Sequence, residues 1–143
     1  MTNPNRQRGA AAVEVSLLIP LLVVLLLAMA GGWRISHTRA QIVEAAAAGA
    51  RAATIPTSAG QATQLARQAI EADLATVGVH CHGLTIDVDT TAFAGPPGSQ
   101  GDVAVELSCV VNLADVVVPG MPGSMTITAS ATEPIDTFRE RTP

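Results

Sequence analysis

A carboxylate, a glycine and an apolar run pose the first chemical question in this chain. Glu14 lies within "RGAAAVEVSLLIPLLVVLLLAMAGGWR", Arg8 to Arg34, five residues after Gly9. It is the only charged residue between Ala10 and Gly32, and from Leu17 to Gly31 nothing is more polar than Pro20. A charge inside a membrane-crossing helix costs roughly 2.5–3.5 kcal/mol at the helix centre on insertion scales, and less towards the ends. Glu14 is therefore a candidate functional group whose partner has to be named.

The second set of candidates is His80-Cys81-His82 together with Cys109. Successive residues on a strand point to opposite faces, so His80 and His82 could share an ion only without Cys81. If Cys81 pairs with Cys109, no further cysteine remains as a ligand. The expectation is no metal site, with two exposed histidines flanking a bridged cysteine. His37 reads as a polar-face residue of a helix, and Glu71 and Asp73 as a solvated face. "GPPGSQG" lacks the Lys-Ser/Thr ending and the strand-to-helix setting of a phosphate loop. No spacing of Ser, His and acid suggests an activated nucleophile. The chain reads as a non-enzyme without a cofactor or a small-molecule substrate.

The elements that carry these residues follow from hydropathy. Residues 10–32 give a run of about 23 residues, which at about 1.5 Å per residue exceeds a bilayer core of about 30 Å. Arg6 and Arg8 precede it on a nine-residue stub, which places the N-terminus in the cytoplasm by the positive-inside rule. Arg34 and Arg39 weaken that asymmetry, but a short stub is far easier to leave behind than the long C-terminal part is to retain. Trp33, the only Trp, falls where indole rings prefer to sit, at the outer interface. Of the 12 acids and eight arginines, all but Glu14, Arg6 and Arg8 follow residue 32, which leaves the exported part at a net −5. It has no basic stripe, so no nucleic-acid surface is expected. The absence of Lys and the excess of Ala suggest a GC-rich bacterial genome. Both cysteines lie in the exported part, where a disulfide persists.

A helical pattern continues through "RISHTRAQIVEAAAAGARAAT", with Ile35, Ile42, Val43, Ala46, Ala50 and Ala53 on one face. Span and extension together predict one helix of about 44 residues, roughly 65 Å long. Pro20 and Gly31-Gly32 are the places where it could bend. The small residues from Ala45 to Ala50 would let another element come close. Pro56 ends this helix, and residues 60–77 predict an amphipathic one with Ala62, Leu65, Ala66, Ala69, Ile70, Leu74 and Val77 inward. Thr57 or Ser58 can cap its start, and Gly78 suits the left-handed position after its end. Three strands follow by alternation: Leu84-Ile86-Val88, the odd residues from Val103 to Leu113, and Met125-Ile127-Ala129-Ala131. "FAGPPGSQG" and "PGMPGS" connect them, and the tail "DTFRERTP" is expected to be loose.

The fold class is therefore α+β. A long N-terminal transmembrane helix continues into a small exported domain with one amphipathic helix and a three-stranded antiparallel sheet. The expected divisions are a leader at 1–9, the span at 10–32, a helical extension at 33–54 and the small domain at 55–143. A core that size with only two Phe and no Tyr is marginal without a staple. A Cys81–Cys109 bridge closing about 29 residues would add roughly 3–4 kcal/mol in the chain-entropy model. Cys81 has the wrong parity for a regular hairpin that also keeps Leu84, Ile86 and Val88 inward. One extra residue near Gly83 repairs this, placing Cys81 opposite Cys109, Leu84 opposite Leu107 and Ile86 opposite Val105.

The basic leader ending in Gly9, the apolar helix and Glu14 as its fifth residue resemble the class III signal of type IV pilins and pseudopilins. "LLIPLLVVLLLAMAGGWRI" and the closing "SMTITASATEPIDTFRER" are similar to TadE-like pseudopilins of the tight-adherence (Flp) pilus. The resemblance implies cleavage by a prepilin peptidase between Gly9 and Ala10. It implies pairing of Glu14 with the new α-amine of a neighbouring subunit, in a fibre or on the pilus assembly platform. Partners would be other pilins and pseudopilins, the peptidase and the plasma membrane. The protein would be single-pass with its C-terminal domain outside, and part of the extracellular pilus once assembled. Val15 stands where many major pilins carry an aromatic, and about 90 residues follow the helix, so a minor pilin or pseudopilin is implied. A rival reading is a secreted binding protein released by signal peptidase after Ala30, at the small-x-small pattern Ala28-Met29-Ala30.

Overall fold

In the computed structural model, residues 4–96, 99–117 and 119–136 are described, with side chains from Glu14 onward. All of the expected loose tail but Asp136, and Pro97-Gly98 of the first Gly/Pro-rich connection, lie outside them.

Helix α1 runs unbroken from Pro4 to Ala53. Its 50 residues span about 75 Å at about 1.5 Å per residue. Neither Pro20 nor Gly31-Gly32 interrupts the assigned helix. The helix has two halves with different surroundings. From Val15 to Met29 every large apolar side chain is exposed. From Ile42 to Ala53 one face is fully buried, through Ile42, Ala45, Ala46, Ala50 and Ala53. Val43, expected on that face, is exposed. The face turns through Ala45 and Gly49 instead, because small residues admit the neighbouring backbone where Val43 would hold it off.

Helix α2, Ala59–Val77, packs against this small-residue face. Its start is Ser58, which accepts the Ala62 N–H through its carbonyl, while its side chain makes no capping bond. Its end is Gly78 at φ 73°, and the N–H of Val79 closes back onto Leu74 O at 3.0 Å. The buried stripe is Ala62, Ala66, Ile70 and Leu74. Leu65 and Val77, expected inside, stand more than one third exposed at its margins. At the crossing, a Cβ on Gly49 would fall 2.6 Å from both Cγ1 and Cδ1 of Ile70 and 3.3 Å from Ala66 O. The two helices touch there at backbone distance.

The sheet has the order β1-β2-β3, with β1 Gly83–Asp89, β2 Asp102–Asn112 and β3 Ser124–Pro134, antiparallel throughout. Its inner face is Ile86 of β1, the odd residues Val103 to Val111 of β2, and Ile127 and Ala129 of β3, all buried. Thr126, Thr128, Ser130 and Thr132 alternate outward. Helix α1 covers β2 and β3, and α2 lies beside it towards β1. Arg67 of α2 donates through Nη2 to Ile86 O at 2.9 Å, tying that helix to the edge strand.

Two short pieces were not evident from periodicity. A 3₁₀ turn at Thr91–Ala94 buries Phe93 at the far end of the core. Asp89 opens it by accepting the Thr91 N–H at 2.9 Å, a bond that holds the exposed carboxyl below its usual pKa. Helix α3, Leu113–Val116, replaces the last residue expected of β2 and buries Val116.

Candidate functional site

The sequence candidates fall at two places: the free end of α1 and the end of the domain nearest to it. Gly9 and Ala10 lie within the helical backbone of α1, and their side chains are outside the described set. Glu14 is exposed on the same helix. Ala10 and Glu14 are four residues apart and share one helix face, one turn from each other. Beyond Glu14 the apolar side chains are bare around the whole circumference: Leu17 is 70% exposed, Leu21 64% and Leu26 64%. Among the described residues, no part of the domain reaches back to cover them. A helix that is apolar on all sides and leaves its own domain is suited to lipid or to other such helices, not to water. It is long and apolar enough to cross a membrane.

Where the bare half ends, the domain begins without a linker. Gly31 is buried, and a Cβ there would lie 3.1 Å from Val117 Cγ1. Gly31-Gly32 is more than a possible bend; at Gly31 the missing side chain makes room for the β2–β3 connection. Trp33 is 68% exposed and stacks on His37, with ring centroids 5.4 Å apart and planes 7° from parallel. His37, read as an ordinary polar-face residue, is thus the support of an exposed indole. The signal was present in the sequence, since positions 33 and 37 share a helix face.

The cysteines meet in a disulfide, with Cα atoms 5.3 Å apart. From Gly83 onward the β1–β2 ladder is regular, pairing Gly83 with Val110, Leu84 with Cys109, Ile86 with Leu107 and Val88 with Val105. His82 N–H also donates to Val110 O, at 2.8 Å. Two residues, His82 and Gly83, therefore address one residue of β2 at the start of the strand. The irregular contact thus lies at His82, before the strand, while Gly83 already stands in the regular ladder, and the register expected for β1 needs correction. Leu84 faces Cys109, not Leu107, and Ile86 faces Leu107, not Val105. Cys81 precedes the strand and reaches Cys109 from the connection between α2 and β1. Nothing requires a bridge partner to sit in the ladder, and Leu84 occupies the facing position.

His82 and His80 are exposed on either side of Cys81. His82 Nε2 lies 2.8 Å from Asn112 Nδ2, where the amide donates and the ring nitrogen accepts. Asp115 Oδ2 is 3.8 Å away. This small polar group connects the start of β1 to the end of β2. Asp73 departs from the solvated face expected of it: the residue is half-buried, and its Oδ2 is enclosed without a hydrogen-bond partner among the described residues. Among the described residues no group of three or more His, Cys, Asp or Glu is gathered as for a metal.

Residues 9–51, from Gly9 through the bare half of α1 and into its packed half, match the family model of TadE-like protein. The chain carries a TadE-like N-terminal helix. The match ends at Arg51, so the sheet, the disulfide and the closing strand lie beyond the TadE-like segment. No curated protein and no solved structure gives a significant match to the chain.

Proposed function

We propose that this protein is a minor pilin or pseudopilin of a tight-adherence (Flp) pilus, anchored by α1 and processed by a prepilin peptidase between Gly9 and Ala10. The observation that carries the reading is the coincidence of the TadE-like match over residues 9–51 with the bare apolar helix that holds Gly9, Ala10 and Glu14. The leader stays in the cytoplasm and the domain folds outside, where the Cys81–Cys109 bridge is stable. Gly9 suits a cleavage point in a helix, because an interior glycine weakens helical structure by roughly 0.5–1 kcal/mol relative to Ala. Local unwinding at the scissile bond is correspondingly easier.

Cleavage creates an α-amine at Ala10 with a reference pKa of about 7.7–8.0, largely cationic at neutrality. Offered by a neighbouring subunit, it is the partner that Glu14 lacks among the described residues of its own chain. The role of Glu14 is then register: a helix stacked out of step leaves a carboxylate unpaired in an apolar bundle. The subunit is structural and adhesive, and its partners are other pilins, the assembly platform and the membrane. The rival release after Ala30 would sever α1 at the residue before Gly31, where the helix is already part of the domain's packing. The test is the mature N-terminus by mass spectrometry after co-expression with the cognate peptidase. Ala10 is the expected first residue, and replacing Gly9 by a bulky residue should abolish the cut. A mature N-terminus at Gly31 would overturn the proposal.

A further inference from the structure

The β2–β3 connection lies against the last residue of the apolar run, and the position is fixed from three directions. Val117 packs on Gly31. Asp115 and Val116 share a cleft with Thr38 and Gln41 of α1, about two turns further from the apolar half. Met125 and Ile127 share another with Ile35 and Arg39. The connection therefore descends along α1 towards the apolar half as it passes from Asp115 to Val117, and β3 climbs away again. Because α1 is continuous from Glu14 to Ala53, no linker can lift the domain from whatever surrounds the apolar half.

The chemistry of the connection follows this geometry. No charged residue occurs between Asp115 and Glu133, and Asp115 is on the upper side, 3.8 Å from His82. After it in the chain, Pro119, Gly120, Met121 and Pro122 are exposed, Met121 by 44%. The loop is held in shape by the Leu113 N–H bond to Gly123 O at 3.0 Å. A Cβ on Gly123, which has φ 113°, would lie 3.2 Å from Leu113 Cδ1. An apolar tip on a closed loop whose start, Val117, packs on Gly31 two residues before the exposed Trp33 has the composition of a surface that rests in the interfacial zone of a bilayer.

We infer that the loop presenting Val117, Pro119, Met121 and Pro122 is a second membrane contact, dipping into the outer-leaflet interface beside α1. This rests on the reading of α1 as a membrane span. The contact fixes the tilt of the domain on the membrane and buries the Met121 side chain among lipid headgroups and upper acyl chains. It gives the domain one preferred face towards the lipid before the subunit leaves the membrane.

The test uses the full chain in vesicles of phosphatidylethanolamine and phosphatidylglycerol, with lipids brominated near the top of the acyl chain as quenchers. The single native Trp33 reports the interface. In a Trp33→Phe background, Met121→Trp should lose as large a fraction of its emission as native Trp33 does. Ser130→Trp, on the outer face of the sheet, should lose none. Pro122→Trp is a second reporter on the same tip, and retention of the disulfide under non-reducing conditions verifies folding of each variant. Emission at positions 121 and 122 that is unquenched, while Val24→Trp is quenched, overturns the loop contact and leaves the span intact. A blue-shifted but unquenched signal at 121 means contact with protein and also overturns it. If Val24→Trp is itself unquenched, the span and the loop contact fall together.

Discussion

Gly49 sets how closely the two helices approach, and its neighbours show what would follow from a side chain there. With a Cβ only 2.6 Å from two atoms of Ile70 and 3.3 Å from a backbone oxygen, relief requires that α2 move or that Ile70 leave its rotamer. Overpacking of this kind costs typically 1–3 kcal/mol, so Gly49→Ala should destabilise the domain by up to about 2 kcal/mol net, read in denaturant titrations of the detergent-solubilised chain. Helix propensity opposes the effect, because Ala is favoured over Gly by about 0.8–1.0 kcal/mol in a helix interior; the contact decides the sign. Adding Ile70→Ala removes the clashing atoms, and the double variant should be less destabilised than the two single effects predict. Strict additivity would mean that the close approach is not what Gly49 provides. Gly31 uses the same device at lower density, against one methyl of Val117.

Among the elements, α1, α2 and the three strands were legible because each repeats its inward residues at the period its geometry demands. Ala62, Ala66, Ile70 and Leu74 mark α2, and the odd residues of β2 are buried without exception from Val103 to Val111. What periodicity could not show was set by contacts between elements. Val43 lies next to Ile42 in sequence, yet only Ile42 meets the core. The register of β1 was out by two residues because Cys81 was placed inside the ladder, whereas the bridge crosses from the preceding connection. Val117 seeking out Gly31 is likewise a tertiary fact with no local signature. The Glu14 spacing was readable as a motif, but the partner proposed for it belongs to a second molecule, which one chain does not contain. The bridge joins the end of the α2–β1 connection to the middle of the sheet, a separation of 28 residues. Cys81→Ser with Cys109→Ser should therefore lower stability by roughly 3–4 kcal/mol, read as a shift in the denaturation midpoint. The wild-type chain should show no reactive thiol until reduced. Two reactive thiols in the unreduced protein would remove the staple.

At the scale of the whole molecule, a helix of 50 residues serves two solvents with one continuous backbone. Its packed half supplies one wall of a small core and its bare half has no partner among the described residues, so it is suited to a membrane or a bundle of like helices. Glu14 near the free end distinguishes these two settings. In lipid alone a carboxylate is a burden, at most roughly 2.5–3.5 kcal/mol and smaller near the helix end, where it can reach the headgroups. In a bundle that presents an α-amine it becomes the group that selects the register. The two roles separate under one substitution. Glu14→Ala should enter the membrane at least as well as the native chain, measured by carbonate-resistant fractionation, and should be cut after Gly9 at an undiminished rate. Its incorporation into sheared pili, or its co-purification with the assembly platform, should be lost. Glu14→Asp, which keeps the charge but withdraws it by one methylene, should retain part of that incorporation. Normal assembly of the Ala variant would mean that Glu14 only reaches for the cytoplasmic headgroups, and that the register of the helices is set by the apolar surface between Val15 and Met29.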